Sequence, residues 1–135
     1  MKNIATALGL FCAFTLCSCS IEEPQRDPDL VSKWELTEVL INDGSKSVFQ
    51  PAERTETVEF RVDSKVKRST SWCPEANVNI AEYSTEDKNI IVGCGEEALT
   101  LSYAIKGDLL FIYPNCYEAC ALKYRRIDHL VGFVN

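Results

Sequence analysis

Cysteine is the residue whose spacing constrains chemistry most in this chain. Of seven cysteines, Cys12, Cys17 and Cys19 lie in or just after an N-terminal apolar run. Cys73, Cys94, Cys116 and Cys120 are spread through the remainder. The latter four form an even set, as two disulfides in an exported chain require. They allow three pairings, and spacing does not choose among them. Zinc is the rival use of the thiolates. Only Cys116-x-x-x-Cys120 approaches ligand-pair spacing, Cys73 and Cys94 stand alone, and the paired knuckles of a structural zinc site are missing. No metal or other cofactor is expected. The sole histidine, His129, follows the last strand in Asp128-His129-Leu130. Nucleophilic catalysis would need it in a cleft beside a cysteine or serine. Glu22-Glu23 and Glu96-Glu97 sit in polar connectors, where adjacent carboxylates are solvated charge. No phosphate loop, dinucleotide fingerprint or basic–aromatic stripe occurs. These features point away from an enzyme.

Charge narrows the partners. The chain carries a net charge of −6 and becomes one unit more negative without the N-terminal segment, whose only charge is Lys2. That balance argues against nucleic acid and against direct adhesion to anionic lipid. What remains after residue 18 is one small domain with enough aliphatic and aromatic content for a core.

From Leu30 onward, apolar residues alternate with a period of two. Trp34-x-Leu36-x-x-x-Leu40 marks a first strand and Val58-x-Phe60-x-Val62 a second. Val66 to Trp72, Val78 to Tyr83 and Ile90 to Val92 follow. Leu99-x-Leu101-x-Tyr103-x-Ile105, Leu109 to Tyr113 and Leu122-x-Tyr124-x-Arg126 complete eight. Short alternating strands separated by turn signals predict an all-β fold, here an eight-stranded antiparallel up-and-down barrel. Asp63-Ser64, Thr85 to Lys88 and Lys106-Gly107-Asp108 read as tight connectors. Asn42 to Glu56, Pro74 to Asn77, Gly95 to Ala98 and Pro114 to Ala119 read as longer ones. Alternate connections share an end, so the four cysteines fall at the long-loop rim, which two disulfides would reinforce.

The barrel phase nominates interior residues. If Trp34, Leu36 and Leu40 point inward, so does Glu38. Val66, Thr70 and Trp72 would carry Arg68 inward with them. A buried unpaired carboxylate tends to neutralise, so Glu38 should meet Arg68 or a ligand's cationic or hydroxyl group, unless a bulge turns one of them out. Phe60, Trp72, Tyr103, Phe111, Tyr113 and Tyr124 are candidates to line a pocket for an apolar ligand with one polar handle. Plain core is the competing use, because small eight-stranded barrels are just wide enough to be filled by side chains.

Residues 1–18 predict an address. Met1-Lys2-Asn3 is a short basic start, and Ile4 to Leu16 is too short for a bilayer span of about 20 residues but fits a signal-peptide core. Leu16-Cys17-Ser18-Cys19 resembles a bacterial lipobox, which implies lipidation of Cys19 with a diacylglycerol and an amide-linked acyl chain such as palmitate. An ordinary secretory signal is the alternative. Residues 19–29 then form a polar, proline-interrupted tether. The acidic pair Glu22-Glu23 looks like the export signal of surface lipoproteins of Bacteroidetes-type bacteria, with a plain solvated linker as its rival. The implied location is the cell envelope, lipid-anchored to the outer membrane and facing either the periplasm or the outside.

Residues 30–128 carry a second resemblance. Leu30-Val31-Ser32-Lys33-Trp34-Glu35-Leu36-Thr37-Glu38-Val39-Leu40, Thr57-Val58-Glu59-Phe60, Tyr103-x-Ile105-x-Gly107-Asp108-x-Leu110 and Cys116-Tyr117-Glu118-Ala119-Cys120-x-x-Lys123-Tyr124-Arg125-Arg126 resemble the small lipocalin-like domains of bacterial lipoproteins. Ser32 stands where lipocalins carry glycine before the tryptophan. The resemblance implies that Arg126 covers Trp34 and closes the barrel. The expected functions are binding of a small apolar or amphipathic ligand inside the barrel or, alternatively, protein interaction as an inhibitor or surface-complex subunit through the rim loops of a filled barrel. Residues 129–135 are an apolar tail with no assigned role.

Overall fold

The computed structural model describes residues 29–42, 44, 46–116 and 120–128. The expected signal segment, lipid site Cys19, tether up to residue 28 and tail 129–135 lie outside the described residues.

The described residues form nine strands: β1 (Lys33–Asn42), β2 (Ser47–Pro51), β3 (Thr57–Phe60), β4 (Lys65–Arg68), β5 (Ile80–Ser84), β6 (Asn89–Cys94), β7 (Glu97–Lys106), β8 (Leu109–Tyr113) and β9 (Ala121–Asp128). β1 and β3 through β9 pair antiparallel in sequence order, and β9 returns to β1, so eight strands close a barrel. Closure leaves these strands without free edges, which is why short strands such as β3 and β4 are stable in it.

The ninth strand corrects the sequence reading. The segment from Asn42 to Glu56 is not a long loop. It folds back as β2 against the second half of β1, with Leu40 opposite Phe49 and Ile41 opposite Val48. Gly95-Glu96 is a tight two-residue turn, because Cys94 pairs with Glu97. Gly95 takes φ +77° there, the positive value that the first central residue of such hairpins favours. The third barrel strand stops at Arg68, and β5 begins at Ile80 rather than Val78.

The two ends differ as the turn chemistry implies. The turns after β3, β5 and β7 are short, with Ser64, Lys88 and Gly107 at positive φ. β1 starts and β9 finishes at this same end, with Lys33 opposite Asp128. Leu30 is fully buried beneath it. Both disulfides, Cys73–Cys94 and Cys116–Cys120, lie at the opposite rim.

Alternation directs Trp34, Leu36, Val58, Phe60, Val66, Ile90, Val92, Leu101, Tyr103, Leu110, Ile112, Leu122 and Tyr124 into one contiguous buried core. Burial of this apolar area is the main source of stability.

Two expected orientations are overturned. The register of β1 against β9 slips between Leu36 and Glu38, leaving Thr37 as an extra residue. Such a bulge reverses the phase of the strand. Val39 therefore packs on the core, and Glu38 lies opposite Lys123 on the outer wall, paired with its ammonium. Phe111 is also outside, since its neighbours Leu110 and Ile112 are the buried residues of β8. Its ring meets Phe49 at 6.1 Å, edge to face. Lys123 lies 5.0 Å from the Phe49 ring and Lys106 lies 5.6 Å from Phe111.

Candidate functional site

One carboxylate sits at the centre of the barrel wall's polar contacts. Glu56 is 1% exposed, and the backbone around it explains its position. Leu36 N–H donates to Glu56 C=O at 2.9 Å, and Ala52 N–H donates to Thr37 C=O at 3.0 Å. Consecutive residues of β1 thus face residues four apart on the opposing chain. The 53–55 segment loops out, and Glu56 is re-aimed inward in phase with Val58 and Phe60.

Its oxygens are saturated. Oε1 accepts from Arg68 Nε at 3.0 Å and Tyr124 OH at 2.5 Å. Oε2 accepts from Arg68 Nη2 at 3.1 Å, Arg54 Nε at 3.0 Å and Thr70 Oγ1 at 3.0 Å. Burial alone would raise the carboxyl pKa, but the Tyr124 hydroxyl and the Arg68 and Arg54 charges outweigh it and hold it below the ordinary carboxylate value. The phenol of Tyr124 moves the other way, raised by burial and by the facing carboxylate. Arg68 is fixed further by stacking 5.0 Å over Trp72. Arg54 differs from it, since half of its side chain is exposed to solvent.

Arg68 therefore does point inward, as the alternation implied, but its partner is Glu56 and not Glu38. Thr70, which the same alternation turned inward, donates to Glu56 as well. Sequence reasoning missed Glu56 and Arg54 because Glu53-Arg54-Thr55-Glu56 reads as a polar loop. Glu56-x-Val58-x-Phe60 carried the signal: strand alternation extended two residues backward places that carboxylate inside.

The other nominated aromatics are also committed to the protein. Trp34 Nε1 donates to Leu30 C=O at 3.1 Å, Trp72 Nε1 to Asn79 C=O at 3.1 Å, and Tyr103 OH to Ser84 C=O at 2.9 Å. Phe60 packs against Tyr83 and Tyr103 with ring centroids 5.0 and 5.6 Å away. Tyr113 projects from the outer wall and is partly exposed. At the closed end the Arg126 guanidinium lies 4.5 Å over the Trp34 ring, with Nε 3.4 Å from Asp108 Oδ1. That Nε makes no hydrogen bond, so the Asp108 contact is one of charge only.

Two features at the open rim remain available. Cys73, Pro74, Glu75, Ala76, Cys94 and Gly95 line a depression of 370 Å³. Beyond it, the β1–β2 hairpin carries Ile41 and Val48 opposite one another, 48% and 50% exposed. β2 has β1 on one side and, among the described residues, no strand on the other. The Cys116–Cys120 bridge closes a loop whose residues 117–119 lie outside the described residues. Among the described residues no group of His, Cys, Asp or Glu could hold a metal ion.

No protein-family profile matches the chain, and no curated protein or solved structure does either.

Proposed function

We propose that the protein is a bacterial envelope lipoprotein, held to the outer membrane through Cys19, whose barrel is a rigid mount for protein interaction through the β1–β2 hairpin. The lipobox-like Leu16-Cys17-Ser18-Cys19 supports the anchor. The observation that carries the interaction reading is the contrast in polar satisfaction. Inside, the tips of Trp34, Trp72, Tyr103 and Tyr124 and both oxygens of Glu56 are bonded to the protein. A ligand's polar handle aimed at any of these groups would have to displace one of these bonds, at the cost of a buried unpaired group; the buried side-chain atoms without a hydrogen bond among the described residues are Asn89 Oδ1 and Arg126 Nε. Outside, the hairpin exposes apolar side chains and an unpaired strand edge, both of which serve recognition. The proposed action is binding, with no covalent step.

The test is site-specific photo-crosslinking in the membrane of the producing cell. A probe at Val48 is expected to capture protein, and a probe at Ile80, on another part of the barrel wall, is not. Equal labelling at the two positions, or none at Val48, would refute the reading.

The rim depression supports a second reading, a small apolar or amphipathic ligand. Its volume falls in the range of small-molecule sites, and the Cys73–Cys94 bridge gives it a fixed wall. A bound molecule recovered with the purified chain would favour it.

A further inference from the structure

We propose that the free edge of β2 pairs antiparallel with the same edge of a second copy of this chain, about a two-fold axis at Phe49. This rests on the hairpin reading above and names its partner.

The hydrogen-bond phase of the hairpin identifies the groups on that edge. Antiparallel partners alternate between pairs that exchange backbone hydrogen bonds and pairs that do not. Ala52 N–H donates to Thr37 C=O, so the bonded pairs along the continuous register are Val39 with Gln50 and Ile41 with Val48. Ser47, Phe49 and Pro51 occupy the alternate positions. Their backbone groups face away from β1, and no described residue pairs with them. Pro51 has no N–H to offer, as expected of a proline on a strand edge.

This edge complements itself. With Phe49 opposite Phe49, each Phe49 N–H donates to the other copy's Phe49 C=O. Each Ser47 N–H donates to the other copy's Pro51 C=O. The donor that proline lacks falls opposite the Ser47 carbonyl, at the outer end of the pairing, where water reaches it. An exchange in which the same patch serves both copies is the closed, isologous arrangement of a two-fold dimer.

Charge agrees with the register. Ser47 to Pro51 contains no ionisable residue, so no like charges meet across the strands despite the acidic balance of the chain. Lys46 of one copy comes opposite Ala52 of the other, beside Glu53, and the same contact recurs at the opposite end. Strand edges are commonly blunted by charge, by proline or by brevity; the 5 residues of β2 carry no charge, and its one proline, Pro51, falls at the outer end of the pairing. The two Phe49 rings would lie side by side on the outer face, forming a cross-strand aromatic pair.

Sedimentation equilibrium of the full chain in density-matched detergent tests the pairing. The expected result is a dimer in the micromolar range. Ser47→Pro removes an edge donor that β1 does not use. It should weaken the dimer at least about tenfold while leaving the unfolding midpoint unchanged. Phe49→Pro removes the central donors and should act more strongly. A monomeric wild-type chain, or a dimer unaffected by either proline, overturns self-pairing. If the chain is monomeric and the Val48 probe captures a different protein, the hairpin reading stands and this inference falls. If Val48 captures nothing, both fall.

Discussion

β2 and β3 pair with the same strand, β1, from the same side, yet they end in opposite circumstances. β3 has β4 on its other flank and belongs to the closed wall. β2 has no strand there among the described residues. The looped-out 53–55 segment separates them. Below it the chain delivers Glu56 into a set of donors that saturate both oxygens, and above it the chain leaves the barrel as a hairpin half open to water. One interruption thus yields a carboxylate bonded at both oxygens and a strand edge that no described strand pairs. The difference separates the part that maintains shape from the part free to meet another molecule.

The largest effect is expected on the satisfied side. Glu56→Ala leaves Arg68 and Tyr124 buried without their acceptor. Loss of one partner of a buried ion pair costs about 3–5 kcal/mol, which urea denaturation would register as a large drop in midpoint. Loss of the Cys73–Cys94 bridge, through Cys73→Ser with Cys94→Ser, should cost about 3 kcal/mol on the chain-entropy estimate. The matching change at Cys116 and Cys120 should cost less, because that bridge spans 4 residues of chain instead of 21. At the closed end, Arg126→Ala should cost about 0.5–2 kcal/mol from the lost contact over Trp34, with a change in tryptophan fluorescence.

Acid separates the regions in another way. Glu56 has a folded-state pKa below its unfolded value. The stability it contributes is complete above the ordinary carboxylate pKa of about 4.3 and is lost as pH falls through the lower folded value. Wild-type stability should drop over that interval, and a folded Glu56→Gln variant should lose less. Tyr124, with its pKa raised, contributes stability that is complete below the ordinary phenol pKa of about 10 and declines as pH rises beyond it. The smallest effect on stability belongs to the hairpin. Ile41→Ser, opposite Val48, should move the unfolding free energy by about 0.5 kcal/mol or less while weakening capture by the Val48 probe. A large destabilisation there would mean the hairpin is structural after all.

Much of the barrel was legible in period-two alternation. Leu99-x-Leu101-x-Tyr103-x-Ile105 became β7 and Leu122-x-Tyr124-x-Arg126 became β9, because burial on one face writes itself directly into the sequence. The turns told which end was which. Harder to read was every place where one residue more or fewer shifts the phase. The extra Thr37 sent Glu38 outward, and the looped-out 53–55 segment brought Glu56 inward. Backbone pairing decides both, and side-chain types barely record it. Phe111 was misplaced for a related reason: with Leu109 to Tyr113 apolar throughout, only pairing with β7 and β9 says which face is inside. β2 stayed hidden because Ser-Val-Phe-Gln-Pro is short and ends in proline, so it resembles a loop until β1 is set beside it.

Native mass spectrometry of the full chain, released gently from detergent before and after organic extraction, tests most directly whether the interior or the hairpin is the working surface. The expected spectrum shows the chain with its lipid and a second species that is a protein assembly, lost when Ser47→Pro is introduced. Organic extraction should remove nothing of defined mass from the folded domain. A removable small molecule in stoichiometric amount, with the chain otherwise monomeric, would contradict this and place the function in a ligand site instead.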